Sequence, residues 1–297
     1  MANETIPLAK GLNIAKLEFP VYVSEKLDGV PVRFCIRKEG TRIEALAVTR
    51  QGENARSCKD YLAEFIDANY HQFHDRVNYS FVWEVTHVDF TGFKDISGVV
   101  RRQSPQKGLV FNLFDYDAHV SIDTALVGLF DASGVGFETR LQCAHGFRYP
   151  NNFTIIPQLR YAYADDLQDM LDNTDIGENQ EGWVIRSHNA AFKPGKRHWD
   201  YQKVVKEPMI DLLVVGFEEG KGKNAGAVGR ILVEYHGEII GVGPGKLSYA
   251  ERGTLWRDKV AHLGMIAQIK YKPDQGYKAL RQPTFQTWRP DKTEPDA

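Results

Sequence analysis

The sequence predicts an α+β chain in two parts: antiparallel sheets with flanking helices to about residue 207, then a small antiparallel β-barrel. Three observations carry this. Residues 20–50 alternate apolar and polar side chains in successive runs, the period-2 pattern of half-buried strands. "CKDYLAEFIDANYHQF" (58–73) instead spaces its apolar residues for one face of a helix. After Pro208 the texture changes to short alternating runs joined by Gly-rich turns.

In chain order, "VYVSEK", "VPVRFCIR" and "RIEALAVTR" read as strands, followed by the helix at 58–73. "YSFVWEV" (79–85) and "GLVFNLFDYD" (108–117) are rich in β-branched and aromatic residues and read as strands. Between them, "DFTGFKDISGVVRRQSP" reads as a long polar and basic connection. "DTALVGLFDAS" (123–133) and "YADDLQDMLDNT" (163–174) read as helices, "EGWVIRS" and "YQKVVKE" as strands. Beyond Pro208, "IDLLVVGFEEGKGKNAGAVGRILVEYHGEIIGVGPG" supplies three strands, "SYAERGTLWRDKVAHLG" one helix, and "IAQIKYK" another strand. The expected domains are therefore 1–207 and 208–297.

Bulk properties exclude several classes. No apolar run approaches the ~20 residues of a membrane span. The start "MANETIPLAKGLNIAKLEFP" has no basic segment followed by an apolar one, so no secretory leader is expected. Cys35, Cys58 and Cys143 are odd in number and far apart, suggesting reduced thiols and a cytoplasmic setting. No Cys-x-x-Cys pair points to zinc, and His71 and His74 read as surface residues. A net charge of −2 hides an asymmetry, because residues from 187 onward hold 18 Lys+Arg against 13 Asp+Glu. That C-terminal part is the better candidate for touching a polyanion.

The stretch "VSEKLDGVPVRF" (23–34) sets Lys26 beside an Asp-Gly pair. Alone, this reads as a hairpin corner with a solvated lysine. It gains meaning from its company: "EKLDGVPVR", "TRQGE", "FVWEV", "FNLFDYD", "EGWVIR", "YQKVVKE" and "RQPTFQTWRPDK" follow one another along the chain. In that order they resemble the covalent nucleotidyltransferase superfamily, specifically the small ATP-dependent DNA ligases of the bacteriophage and bacterial type. The resemblance spans nearly the whole chain. It implies an adenylation domain (1–207), an oligonucleotide-binding (OB-fold) barrel (208–297), ATP and Mg2+ as cofactors, and nicked duplex DNA as partner, with a monomer expected. RNA ligases and GTP-using capping enzymes share the lysine and the fold and stand as the alternative. A non-enzymatic nucleic-acid-binding module is a further one, though Lys26, Glu84 and Glu181 are all present.

By this resemblance Lys26 is the nucleophile that takes up AMP. A free lysine titrates near ~10.4, so burial, neighbouring cations and magnesium are expected to lower its pKa or strip its proton. Asp28 and Gly29 hold the turn that aims Lys26, with Gly29 allowing close approach of the nucleotide. The arginine common in relatives two residues after the glycine is replaced by Pro31. Arg33 lies on the same strand face and is expected to reach phosphate or ribose instead. Pro31 implies an edge or irregular strand. Glu84 matches a carboxylate for the ribose and a metal, Glu181 a second metal carboxylate, and Phe114 an aromatic that stacks on adenine. Ser24 stands where relatives often place an acid that reads the adenine amino group. Lys203 and Lys206 match the phosphate-binding lysine pair, with Lys206 preferred. Arg289 and Lys292 of "RPDK" match cations that close over pyrophosphate. Arg50 matches a DNA phosphate contact, and Arg101, Arg102, Lys221 and Lys223 are further candidate contacts.

Overall fold

The computed structural model describes residues 5–90, 92–120, 134–174, 181–205, 207–272 and 280–297. The helix expected at 123–133 and the lysine at 206 lie outside them. The chain divides into two compact units, Met1–Val205 and Lys206–Ala297.

Unit 1 begins with strands β1 (Leu8–Gly11), β2 (Val21–Lys26), β3 (Val30–Glu39) and β4 (Arg42–Thr49), then helix α1 (Lys59–Asn69). It continues with β5 (Val77–His87), α2 (Phe93–Val100), β6 (Leu109–Val120), α3 (Phe137–Ala144), β7 (Phe153–Ile155) and β8 (Leu159–Tyr161). Helix α4 (Ala164–Asn173) and strands β9 (Gly182–Ser187) and β10 (Arg197–Val205) complete it. These strands form two sheets, ordered β1-β10-β9-β2-β8 and β4-β3-β5-β6-β7.

Alternation explains which side chains face where. On β5, Phe81, Trp83 and Val85 enter an aromatic core with Phe34, Phe65, Phe111 and Phe153. The intervening Val82 and Glu84 point the other way, along the face shared with Arg33 and Pro31 of β3. Aromatic pairs such as Phe65–Trp83 (5.4 Å between centroids) hold the core side. A rigid, fully buried wall thus backs the strand that carries Glu84.

Two differences from the sequence reading have plain causes. The connection expected at 89–105 contains α2, because Ile96, Val99 and Val100 recur at helical spacing and are buried, while Lys94 and Asp95 face outward. Pro31 lies not on an edge strand but within β3, which pairs with both β4 and β5. It is tolerated because the β4 pairing begins only at Val32, so the missing N–H leaves no gap in that ladder.

Unit 2 contains β11 (Met209–Glu219), β12 (Val228–Tyr235), β13 (Glu238–Val242), α5 (Tyr249–Arg257), β14 (Ile266–Lys272) and β15 (Arg281–Trp288). The expected long helix breaks after Arg257, continuing only as a 3-10 turn (Lys259–His262). Ser248 and Glu251 form a capping box at the start of α5. The sheet order is β13-β12-β11-β14-β15. Its outer edges also meet: Gly243, just past β13, bridges Thr284 of β15, and the Phe285 N–H donates to the Gly243 carbonyl at 2.9 Å. The sheet therefore curls onto itself around Leu212, Val214, Ile231, Val233, Ala267, Ile269 and Phe285.

Candidate active site

Lys26 is the last residue of β2, and the chain then leaves the first sheet for β3 in the second. The Asp28-Gly29 pair is therefore a crossing between sheets and not a hairpin corner. Gly29 is required by close packing: a Cβ there would lie 2.5 Å from the Val85 carbonyl oxygen and 3.0 Å from Glu84 Cγ. The close approach is thus that of β5, which brings Glu84 up to Lys26.

Register supplies the other carboxylate. Lys26 pairs with Gly182 on β9, and the pairing extends one step further, the Glu181 N–H donating to the Lys26 carbonyl at 3.2 Å. The Lys26 ammonium donates to Glu181 Oε2, and the two side chains are 22% and 8% exposed. Gly182 permits this arrangement, since a Cβ on it would fall 1.9 Å from the Val204 carbonyl oxygen of β10.

Burial opposes the charge on Lys26, but Glu181 and Glu84 outweigh it and hold the lysine pKa above its ordinary value. Burial thus acts in the direction expected from the sequence, and the two carboxylates oppose it. Burial pushes the Glu84 carboxyl up to about 8 despite the pull of Lys26; Glu181 and Asp28 push the same way. The pocket is thus a desolvated acidic cradle around one amine.

The cleft beside Lys26 is lined by Ser24, Glu84, Phe114, Val184, Arg186 and Tyr201, with about 350 Å³ of unfilled space, part of it open to solvent. Strand register accounts for the lining. Ser24 pairs with Val184, and Arg186 with Tyr201, so these side chains share one face. Lys203, two residues beyond Tyr201 on an unbroken ladder, lies on that same face. Lys206 is outside the described residues.

Phe114 reaches the cleft through a β-bulge. Val82 pairs with Asp115 and Trp83 with Leu113, leaving Phe114 as the extra residue between them. Its carbonyl accepts a hydrogen bond from the Arg186 guanidinium, whose carbon also lies 4.4 Å from the Tyr201 ring centroid and 5.4 Å from that of Phe114. Behind the bulge, Asp115 is held by Arg140 of α3 at 3.0 Å, both almost fully buried.

Arg33 is the clear correction. It is fully buried and donates to the Thr5 carbonyl (2.9 Å) and Ser80 Oγ (2.6 Å), with Phe192 against its guanidinium. It shares the face of Glu84 but pairs with Val82, one step further from the cleft, where the N-terminal segment covers it. It is a structural arginine and does not line the cleft beside Lys26.

Among the other residues singled out, Arg50 follows directly on Thr49 and is half-buried, while Arg101 and Arg102 are exposed at the end of α2. In unit 2, Lys221 and Lys223 are exposed about a single 3-10 turn (Gly222–Asn224). Arg289 and Lys292 both contact Asp211 Oδ2 at 2.7 Å. Sequence reasoning missed Arg186 and Tyr201. Both stand within the quoted strings, and alternation from Val184 and Lys203 was the available signal.

Among the described residues no cluster of three or more His, Cys, Asp or Glu side chains is placed to hold a metal. Glu84 and Glu181 are the acidic oxygen donors at the amine, a pair that suits a hard divalent cation retaining water and substrate oxygens as its other ligands. No helix of the described residues is long and apolar enough to cross a membrane.

Comparison with known proteins bears on the fold. No family model matches the chain, and a search of curated proteins finds no significant match. Solved structures do match. One called "Pmar-Lig_Pre." is 20% identical with a TM-score of 0.79, covering 98% of this chain and 68% of that one. A structure of the Lig E DNA ligases, described as DNA binding with a minimal scaffold, is 20% identical with a TM-score of 0.66, covering 96% and 98%. The ATP-dependent DNA ligase from bacteriophage T7, in complex with ATP, is 15% identical with a TM-score of 0.50, covering 96% and 98%. Two of these neighbours are described as DNA ligases, one of them ATP-dependent, and the mixed α+β fold is shared with them.

Proposed function

We propose that the protein is an ATP-dependent DNA ligase that seals nicks through a lysyl-AMP intermediate on Lys26. Unit 1 is read as the adenylation domain and unit 2 as an OB-fold, a five-stranded barrel type that commonly binds nucleic acid. The observation carrying this reading is one arrangement in unit 1: an amine between two carboxylates, opening on a cleft edged by an aromatic ring. The fold shared with DNA ligases supports it.

Lys26 gives up a proton that Glu181 already holds by hydrogen bond, and its nitrogen attacks the α-phosphorus of ATP. A nitrogen–phosphorus bond forms, the bond to the β-phosphate oxygen breaks, and pyrophosphate leaves. An oxygen of the 5′-phosphate at a nick then attacks that phosphorus, and the lysine nitrogen departs and recovers its proton. Finally the 3′-hydroxyl attacks the 5′-phosphate, AMP leaves, and the strand is joined.

Phe114 offers its ring to the base, with Val184 lining the same cleft. Glu84 is assigned to the ribose and, with Glu181, to Mg2+, which when bound neutralises phosphate charge. Lys203, on the cleft face, is assigned to the α-phosphate, with Lys206 as its partner. Arg289 and Lys292 are assigned to the pyrophosphate oxygens. Arg50, Arg101, Arg102, Lys221 and Lys223 are assigned to DNA phosphates. Buried Ser24 leaves the choice of base to backbone groups and Arg186.

Separate incubation with α-labelled ATP and GTP, followed by sealing of nicked DNA and nicked RNA, tests the reading. Labelling by ATP and joining of DNA are expected. Labelling by GTP alone, or joining of RNA alone, would favour a capping enzyme or RNA ligase.

A further inference from the structure

A second cation lines the cleft that holds Lys26. Arg186 is 1% exposed and belongs to the same unit. It stands four residues along β9 from Gly182, the partner of Lys26, and pairs with Tyr22 on β2. At ~3.3 Å per residue the two backbones are about 13 Å apart. Aromatic rings wall that end of the cleft. The guanidinium carbon lies 4.4 Å from the ring centroid of Tyr201, 4.6 Å from that of Phe137 and 5.4 Å from that of Phe114. A nucleotide whose α-phosphorus meets Lys26 turns its base, not its phosphates, toward these rings.

The guanidinium carries five N–H donors. Nη1 donates to the Phe114 carbonyl, which pins the group beside the bulge. Nε and Nη2 are shielded from solvent and have no hydrogen-bond partner among the described residues. Buried donors are normally satisfied, so two unspent ones lining a cleft point to an acceptor that a ligand brings. Nε–H and one Nη2–H run parallel along one edge of the guanidinium, a fork that takes two acceptors side by side. Purines differ at the edge that would meet it. A 6-oxopurine offers two acceptors there, O6 and N7, whereas adenine offers N7 beside an amino donor. Ser24, buried in the same cleft, carries a hydroxyl that can donate or accept and so rejects neither base.

We propose that Arg186 is a specificity-determining residue that reads the base and opens the cleft to 6-oxopurine nucleotides, ITP and GTP, alongside ATP. Adenine takes one hydrogen bond from the fork, through N7; hypoxanthine and guanine take two, through N7 and O6. This rests on the reading of Lys26 as the amine that takes up the nucleotide.

The test measures the covalent adduct on the full chain by intact mass, with ATP, ITP or GTP supplied separately beside magnesium. ITP is the main probe, because it carries O6 without the 2-amino group of guanine. Wild-type protein is expected to form an adduct with each of the three. Arg186→Lys keeps a cation but loses the fork. It is expected to lower kcat/KM for ITP about 5- to 150-fold more than for ATP, the discrimination of one bidentate base contact. An arginine that only supports the bulge would lower both alike, so an unchanged ITP-to-ATP ratio would overturn the proposal. A wild-type protein modified by ATP but by neither ITP nor GTP would overturn it as well. If Arg186→Lys does not fold, the wild-type chain with 7-deaza-ITP, which lacks the N7 acceptor, carries the test. A fall of about fivefold or more against ITP supports the contact, and equal rates overturn it. A wild-type protein modified by none of the nucleotides would instead refute the reading of Lys26 on which the proposal rests.

Discussion

Replacing Arg140 by Met would probe the support behind the bulge at Phe114. The Arg140 guanidinium donates to Asp115 Oδ1 at 3.0 and 3.2 Å and to the Ala190 carbonyl at 2.7 Å, and both charged side chains are 3% exposed. Methionine keeps much of the aliphatic volume but strands the Asp115 carboxylate in a site with little water. Removing one partner of a buried ion pair typically costs about 3–5 kcal/mol. With a urea dependence of about 2 kcal/mol per molar, the midpoint should fall by roughly 2 M. Urea unfolding followed by tryptophan fluorescence measures this. The double variant Asp115→Asn/Arg140→Met leaves no lone charge and should lose less than the single one. A single-variant shift below about 0.5 M, or a double variant worse than the single, would refute the argument that the buried charge sets the cost.

Other consequences follow from the same geometry. Phe114→Ala should weaken ATP binding by roughly 5- to 150-fold, the range expected for one base–aromatic stack of about 1–3 kcal/mol, while leaving the fold intact by circular dichroism. Gly182→Ala should abolish soluble expression or adenylation, because its Cβ would fall 1.9 Å from the Val204 carbonyl oxygen; a fully active variant would contradict the register given for β9 and β10. Glu181 and Glu84 hold the lysine pKa above its ordinary value, so at pH 9 Lys26 should carry less free amine than an exposed lysine and label more slowly with an amine reagent. Glu181→Gln removes a charge and a hydrogen bond that raise that pKa, so labelling of Lys26 should speed up. Mass-spectrometric peptide mapping reads both rates, and equal labelling in the two proteins would count against the ion pair.

Resemblance to a family's motif order named Lys26, Glu84, Phe114 and Glu181; strand alternation located the strands that carry them, to within three residues at each end. Four things were not legible, each for a physical reason. Alternation puts Arg33 on the observed face, but nothing local shows that Thr5 and Ser80, distant in sequence, accept hydrogen bonds from it. Asp28-Gly29 has the composition of a turn; its use as a crossing between two sheets depends on long-range pairing that a local string does not encode. The raised pKa of Lys26 is not legible locally, because the carboxylates arrive from residues 84 and 181, and their combined effect exceeds that of burial. The bulge at Phe114 was hidden too, since an inserted residue leaves the hydrophobic pattern of β6 looking continuous.

Intact-mass measurement after incubation with ATP and magnesium, with mapping of the modified peptide, addresses the central claim most directly. A gain of one adenylate per chain, confined to Lys26 and lost in Lys26→Ala, is the predicted result. An adenylate on any other residue, or strand joining retained by Lys26→Ala, would contradict it.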